Sequence, residues 1–87
     1  MEFPPEVSSK LGYYVYLYFN PYTDEVFYIG KGIRNRAFHH LSDTSESEKV
    51  EEIRDIRKRG VEPKIEILRY GMTESEAAIV EASSFLI

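Results

Sequence analysis

Eighty-seven residues without a cysteine, 43% hydrophobic and 30% charged, amount to one small globular domain. They exclude a second domain, a disulfide scaffold, a thiolate nucleophile and any Cys-ligated metal. Eleven basic against fifteen acidic residues give a formal net charge of −4, the wrong sign for a surface that binds nucleic acid through its overall field, so any such interface has to be local.

The N-terminus MEFPPEVSSK has no basic-then-apolar signal pattern, and no apolar run approaches the roughly 20 residues of a membrane span. The chain therefore reads as a soluble intracellular monomer, cytoplasmic or in a eukaryote nuclear, with no membrane partner. Residues 1–10, with Pro4-Pro5 and Ser8-Ser9, read as a flexible leader outside the core. YYVYLYF at 13–19 and VFYIG at 26–30, rich in aromatic and β-branched residues, flank the polar NPYTDE and predict an antiparallel hairpin. Tyr14, Tyr16 and Tyr18 fall on one face of the first strand, and Tyr13, Val15, Leu17 and Phe19 on the other.

After Gly30-Lys31-Gly32 the periodicity becomes helical: Ala37 and Leu41 are four apart, as are Arg36 and His40. Ser45-Glu46-Ser47-Glu48 predicts the capped start of a second helix with an apolar stripe at Val50, Ile53 and Ile56, ended by Gly60. Its early acids and its late Arg54, Arg57, Lys58 and Arg59 complement the helix dipole and read as a solvated face. A third strand is predicted within Val61–Tyr70, starting after Pro63, and Thr73-Glu74-Ser75-Glu76 is a second capping box opening a final helix. The expected fold class is α+β, a three-stranded antiparallel sheet flanked by helices in the order β-β-α-α-β-α.

Several of these residues could carry chemistry. Glu81 sits among Ala77, Val80, Ala82 and Phe85. A carboxylate half-buried there needs a counter-charge, either an arginine or a hard divalent cation with oxygen ligands. Glu76 is accounted for by its capping box. Arg36 and His40 share a helical face just after a glycine-rich turn, where a guanidinium can meet phosphate oxygens bidentately.

In joint order these residues closely resemble the GIY-YIG nuclease family. Its two motifs correspond to Tyr14-Val15-Tyr16, which keeps only the final tyrosine of the first, and to Tyr28-Ile29-Gly30, which is intact. Lys31 follows the second motif, Arg36 and His40 match the arginine and the histidine or tyrosine four residues later, and Glu76-Ala77-Ala78-Ile79-Val80-Glu81 has the form of the metal-binding helix. The turn YIGKG-x-x-x-R and the FHHL beyond it look most like the branch of LEM-3-like nucleases and their bacterial and phage relatives.

The resemblance implies a metal-dependent endonuclease that hydrolyses DNA phosphodiester bonds, with Tyr16 or Tyr28 as general base and Tyr16 preferred. Lys31 and Arg36 would stabilise charge, His40 would contact phosphate or orient a tyrosine, and Glu81 would hold Mg²⁺ or Mn²⁺. Family members carry an asparagine beyond the metal-binding helix. None follows Glu81 before Ile87, so the domain, residues 11–87, reads as truncated at its C-terminus. DNA is the expected partner, weakly held by this fragment, with an additional DNA-binding domain in the full-length protein. A GIY-YIG-fold module that only binds nucleic acid or a protein is the alternative.

Overall fold

The computed structural model describes residues 3–42 and 47–84. Strands β1 (Tyr13–Asn20), β2 (Glu25–Ile33) and β3 (Lys64–Met72) form one antiparallel sheet in the order β2-β1-β3. The α+β class and the three-stranded antiparallel sheet are those expected from the sequence, while the order differs by a helix before β1 and by a 3-10 segment where the first helix after the hairpin is expected. Helix α1 (Pro5–Leu11) precedes the sheet, a 3-10 segment (Arg36–Ser42) and helix α2 (Glu48–Lys58) lie between β2 and β3, and α3 (Glu74–Ser84) follows β3. Among the described residues no helix is long and apolar enough to cross a membrane.

Helix α1 corrects the reading of residues 5–10 as a flexible leader without regular structure, although those residues do lie outside the core. Proline is tolerated in the first helical turn, where its missing N–H would have had no partner, so Pro5 starts the helix. Leu11 at its end is buried, and Phe3 packs edge-on against Tyr14, with ring centroids 6.0 Å apart, and against Phe38 at 4.7 Å. The Phe3 backbone N–H donates to Asn35 Oδ1 at 2.7 Å. The segment thus braces the turn that follows β2.

The tyrosine ladder is the core. Tyr14 and Tyr18 are fully buried and Tyr16 is 2% exposed, packed with Ala37 and Ile53 under the 3-10 segment and α2. Tyrosine tolerates this because each outer hydroxyl has a partner: Tyr14 donates to Arg34 O at 2.6 Å and Tyr18 to Ala37 O at 2.5 Å. On the opposite sheet face, Val15 and Met72 pack against Ala77 of α3. Val50, Ile53 and Ile56 are the buried stripe of α2, as their spacing predicts.

Two helix starts differ in detail. The cap of α2 is Ser47, whose Oγ accepts from Val50 N at 3.3 Å; Ser45 and Glu46 lie outside the described residues. At α3 the expected capping box is complete, with Thr73 N donating to Glu76 Oε1 at 3.0 Å and Glu76 N to Thr73 Oγ1 at 3.2 Å. These bonds from Thr73 hold the Glu76 carboxyl below its ordinary range.

Candidate active site

Register sets the site. Tyr16 lies opposite Gly30, and Tyr18 opposite Tyr28, so Tyr16 and Tyr28 are diagonal neighbours on one sheet face with ring centroids 6.0 Å apart. Gly30 makes this possible: a Cβ there would fall 2.7 Å from the Tyr16 hydroxyl oxygen and 2.9 Å from Tyr28 Cε2. Neither ring can swing aside, since both pack against Tyr18 at about 6 Å. Gly30→Ala is therefore expected to cost about 1–3 kcal/mol by overpacking, read as a lowered urea midpoint. Wild-type stability of that variant would mean that the two rings are free to shift.

The outer tyrosines build the turn that carries Arg36. Arg34 adopts a left-handed backbone, with φ 55°, uncommon for a residue with a side chain. It is held there by the Tyr14 hydroxyl, which donates to Arg34 O and accepts from Ala37 N at 2.9 Å, clamping both ends of the turn. Tyr18 secures Ala37 from its other side. At Gly32 a Cβ would come within 3.0 Å of Arg36 Cβ, so this glycine lets the Arg36 side chain lie close to the strand. Of the three ladder tyrosines, the middle one is left to the cavity.

That cavity, about 670 Å³, is lined by Tyr16, Tyr28, Lys31, Arg34, Arg36 and His40, with Ile33, Asn35 and His39 completing the wall. Five of the six residues singled out in the sequence therefore meet. His40 packs edge-on against Tyr28, with centroids 4.8 Å apart. Arg36 is exposed at the rim. Lys31 approaches Glu74 at 3.9 Å, a loose, partly exposed pair of little energetic weight. Burial pushes the Tyr16 phenol well above its ordinary value of 10, and the neighbouring hydroxyls of Tyr28 and Tyr18 add to the shift.

Glu81 is placed differently. It is half-buried on α3, two turns beyond Glu74 and one turn beyond the buried Ala77, and it is not among the residues lining the cavity. The arginine partner considered for it is absent: Glu81 makes no ion pair or hydrogen bond with a described residue. No three His, Asp or Glu side chains cluster among the described residues. A half-buried carboxylate without a counter-charge among the described residues suits a hard cation that keeps most of its waters. It does not suit a metal that requires an all-protein cage.

Sequence reasoning overlooked Lys49. Its Nζ lies 4.6 Å from the centroid of the Tyr28 ring, a cation over the face of a motif tyrosine. No motif flags this lysine, because only the docking of α2 onto β2 brings it there. Asn35, bonded to Phe3, was also missed, and its place between Arg34 and Arg36 was the available signal.

No curated protein and no solved structure gives a significant match to the chain. The family model described as LEM-3-like GIY-YIG domain matches residues 4–85, a span that takes in the bracing helix, both motif strands, the Arg36 turn and α3. With the two motif tyrosines facing one another across a hairpin and nearly the whole chain matched, the protein belongs to the LEM-3-like GIY-YIG family and has its nuclease-type fold.

Proposed function

We propose that this chain is a metal-dependent endonuclease domain that hydrolyses DNA phosphodiester bonds. The observation that carries the reading is the convergence of two neighbouring phenols with Lys31, Arg36 and His40 in one cavity. The Tyr16–Tyr28 pair receives the proton of the attacking water and acts as a unit, since an anion on either phenol accepts a hydrogen bond from the other. Burial opposes that anion. The cations that offset it are Lys31 and Arg36 at the cavity and Lys49 over the Tyr28 ring, and Arg36 also meets the charge growing on the phosphoryl oxygens. His40 fixes the Tyr28 ring edge-on.

Glu81 is the residue that would hold Mg²⁺ or Mn²⁺. Bound there, the ion would shield the negative charge of the leaving 3′ oxygen. Nicking of plasmid and branched DNA in Mg²⁺ or Mn²⁺, with chelator as control, tests the proposal. The expected result is nicking that disappears with chelator and in a Tyr16→Phe/Tyr28→Phe double variant. DNA binding without any nicking would instead make the chain a binding module of the same fold.

A further inference from the structure

A second cavity, about 510 Å³, adjoins the first and shares His40 as a wall. Its floor is apolar, made by Leu41, Val50 and Ile53, and its rim carries Arg54, Arg57 and Lys58 of α2. Arg54 and Lys58 lie one turn apart on the same stripe as Val50 and are exposed. Neither makes an ion pair with a described residue. Arg57 is committed otherwise: its Nε donates to Glu62 Oε2 at 2.9 Å and its Nη1 to Leu41 O at 2.8 Å, which ties the end of α2 to the 3-10 segment and leaves little net charge at that point.

The dipole account of these basic residues explains their place late in α2, but not why two of them line a cavity that shares a wall residue, His40, with the candidate active site. Resting on the nuclease reading above, we propose that this cavity is a subsite for the DNA strand flanking the scissile phosphate. Arg54 and Lys58 contact its phosphates, and the apolar floor beside His40 receives a sugar or an unstacked base. Charge complementarity selects the occupant: Lys31, Arg34 and Arg36 line one of the two cavities that His40 borders and Arg54 and Lys58 line the other, and together they are the basic track of this assignment. The track crosses a chain whose net charge is −4, so a polyanion is drawn to this face and repelled elsewhere. A basic protein segment would be attracted to the opposite kind of surface.

The track raises the number of free cations facing DNA from three to five. The expected dependence of log K on log salt steepens from about −2.7 to about −4.5 for duplex DNA. Fluorescence anisotropy of the whole chain with a labelled duplex, between about 50 and 200 mM salt in Ca²⁺ to suppress turnover, reads this slope. Arg54→Ala/Lys58→Ala is expected to lower its magnitude by about 1.8, and circular dichroism checks that the fold is kept. A Lys10→Ala/Arg69→Ala control, equal in charge and outside both cavities, is expected to keep the wild-type slope. An equal fall in both double variants, or none in the first, overturns the subsite and leaves the nuclease reading standing. Wild-type protein that binds DNA on the steep slope but never nicks it fails as a nuclease while the subsite holds. No wild-type binding even at low salt overturns both.

Discussion

Glu81→Ala is expected to lower metal-dependent nicking by about 10²–10³ while leaving DNA binding in place, whereas Arg36→Ala lowers both. The difference follows from position. Arg36 is exposed at the rim of the cavity, where a guanidinium meets phosphate in ground and transition state alike. Glu81 is a half-buried carboxylate on another element and has no protein cation to satisfy it among the described residues. A structural role for Glu81 predicts a different pattern, a fall in melting temperature with nicking reduced only in proportion to the unfolded fraction. Glu81→Gln separates the two, since it keeps size and polarity and loses the charge. Full nicking by a stably folded Glu81→Gln variant would remove the carboxylate from the reaction.

Much of the fold was legible because each element announces itself within a few residues. The aromatic runs on either side of Asn20-Pro21 could only pair as a hairpin, and the Thr73–Glu76 box capped α3 in both of its reciprocal bonds. The misreadings share a cause. Pro4-Pro5 signals a break when the helix is imagined as already running, but a first turn when it begins there, and only the burial of Phe3 and Leu11 against the sheet decides between them. The segment after Gly32 has the spacing of a helix but forms a 3-10 segment, tightened by the Tyr14 and Tyr18 hydroxyls on its backbone.

The same limit applies to the site. Tyr16, Tyr28, Lys31, Arg36 and His40 could be named because their order matches the motifs of the family, and the hairpin register and one short turn carry them to the same place. Lys49, Arg54 and Lys58 could not, because what they face depends on how α2 docks, and docking is fixed by Val50, Ile53 and Ile56 rather than by the charged residues themselves. The division of labour along the tyrosine ladder was equally hidden. Nothing in the alternation Tyr14, Tyr16, Tyr18 distinguishes the two hydroxyls that bond to backbone from the ring that lines the cavity.

Alkaline pH is expected to unfold this domain cooperatively, and the ladder is the reason. Burial holds the phenols of Tyr14, Tyr16 and Tyr18 above their ordinary value of 10. In the unfolded chain the same groups lose their protons around that value. Above it the unfolded state binds fewer protons than the native one, so unfolding free energy falls as pH rises. The stabilisation is complete below pH 10 and is lost from there upward through the folded values. Each phenol still protonated in the native state removes about 1.4 kcal/mol per pH unit in that window. With three such groups, a total stability of about 5–15 kcal/mol is consumed within a few units. Circular dichroism and tyrosinate absorbance, followed together, are expected to show part of the phenolate signal arriving only with loss of structure. Tyr16→Phe, which leaves the Tyr14 and Tyr18 bonds to the backbone of the Arg36 turn in place, should make the fall shallower by about one proton. Titration of every phenol in one non-cooperative step near pH 10, with structure retained, would show that the ladder is accessible to water. The burial cost would then no longer be what Lys31, Arg36 and Lys49 would have to offset in the proposed reaction.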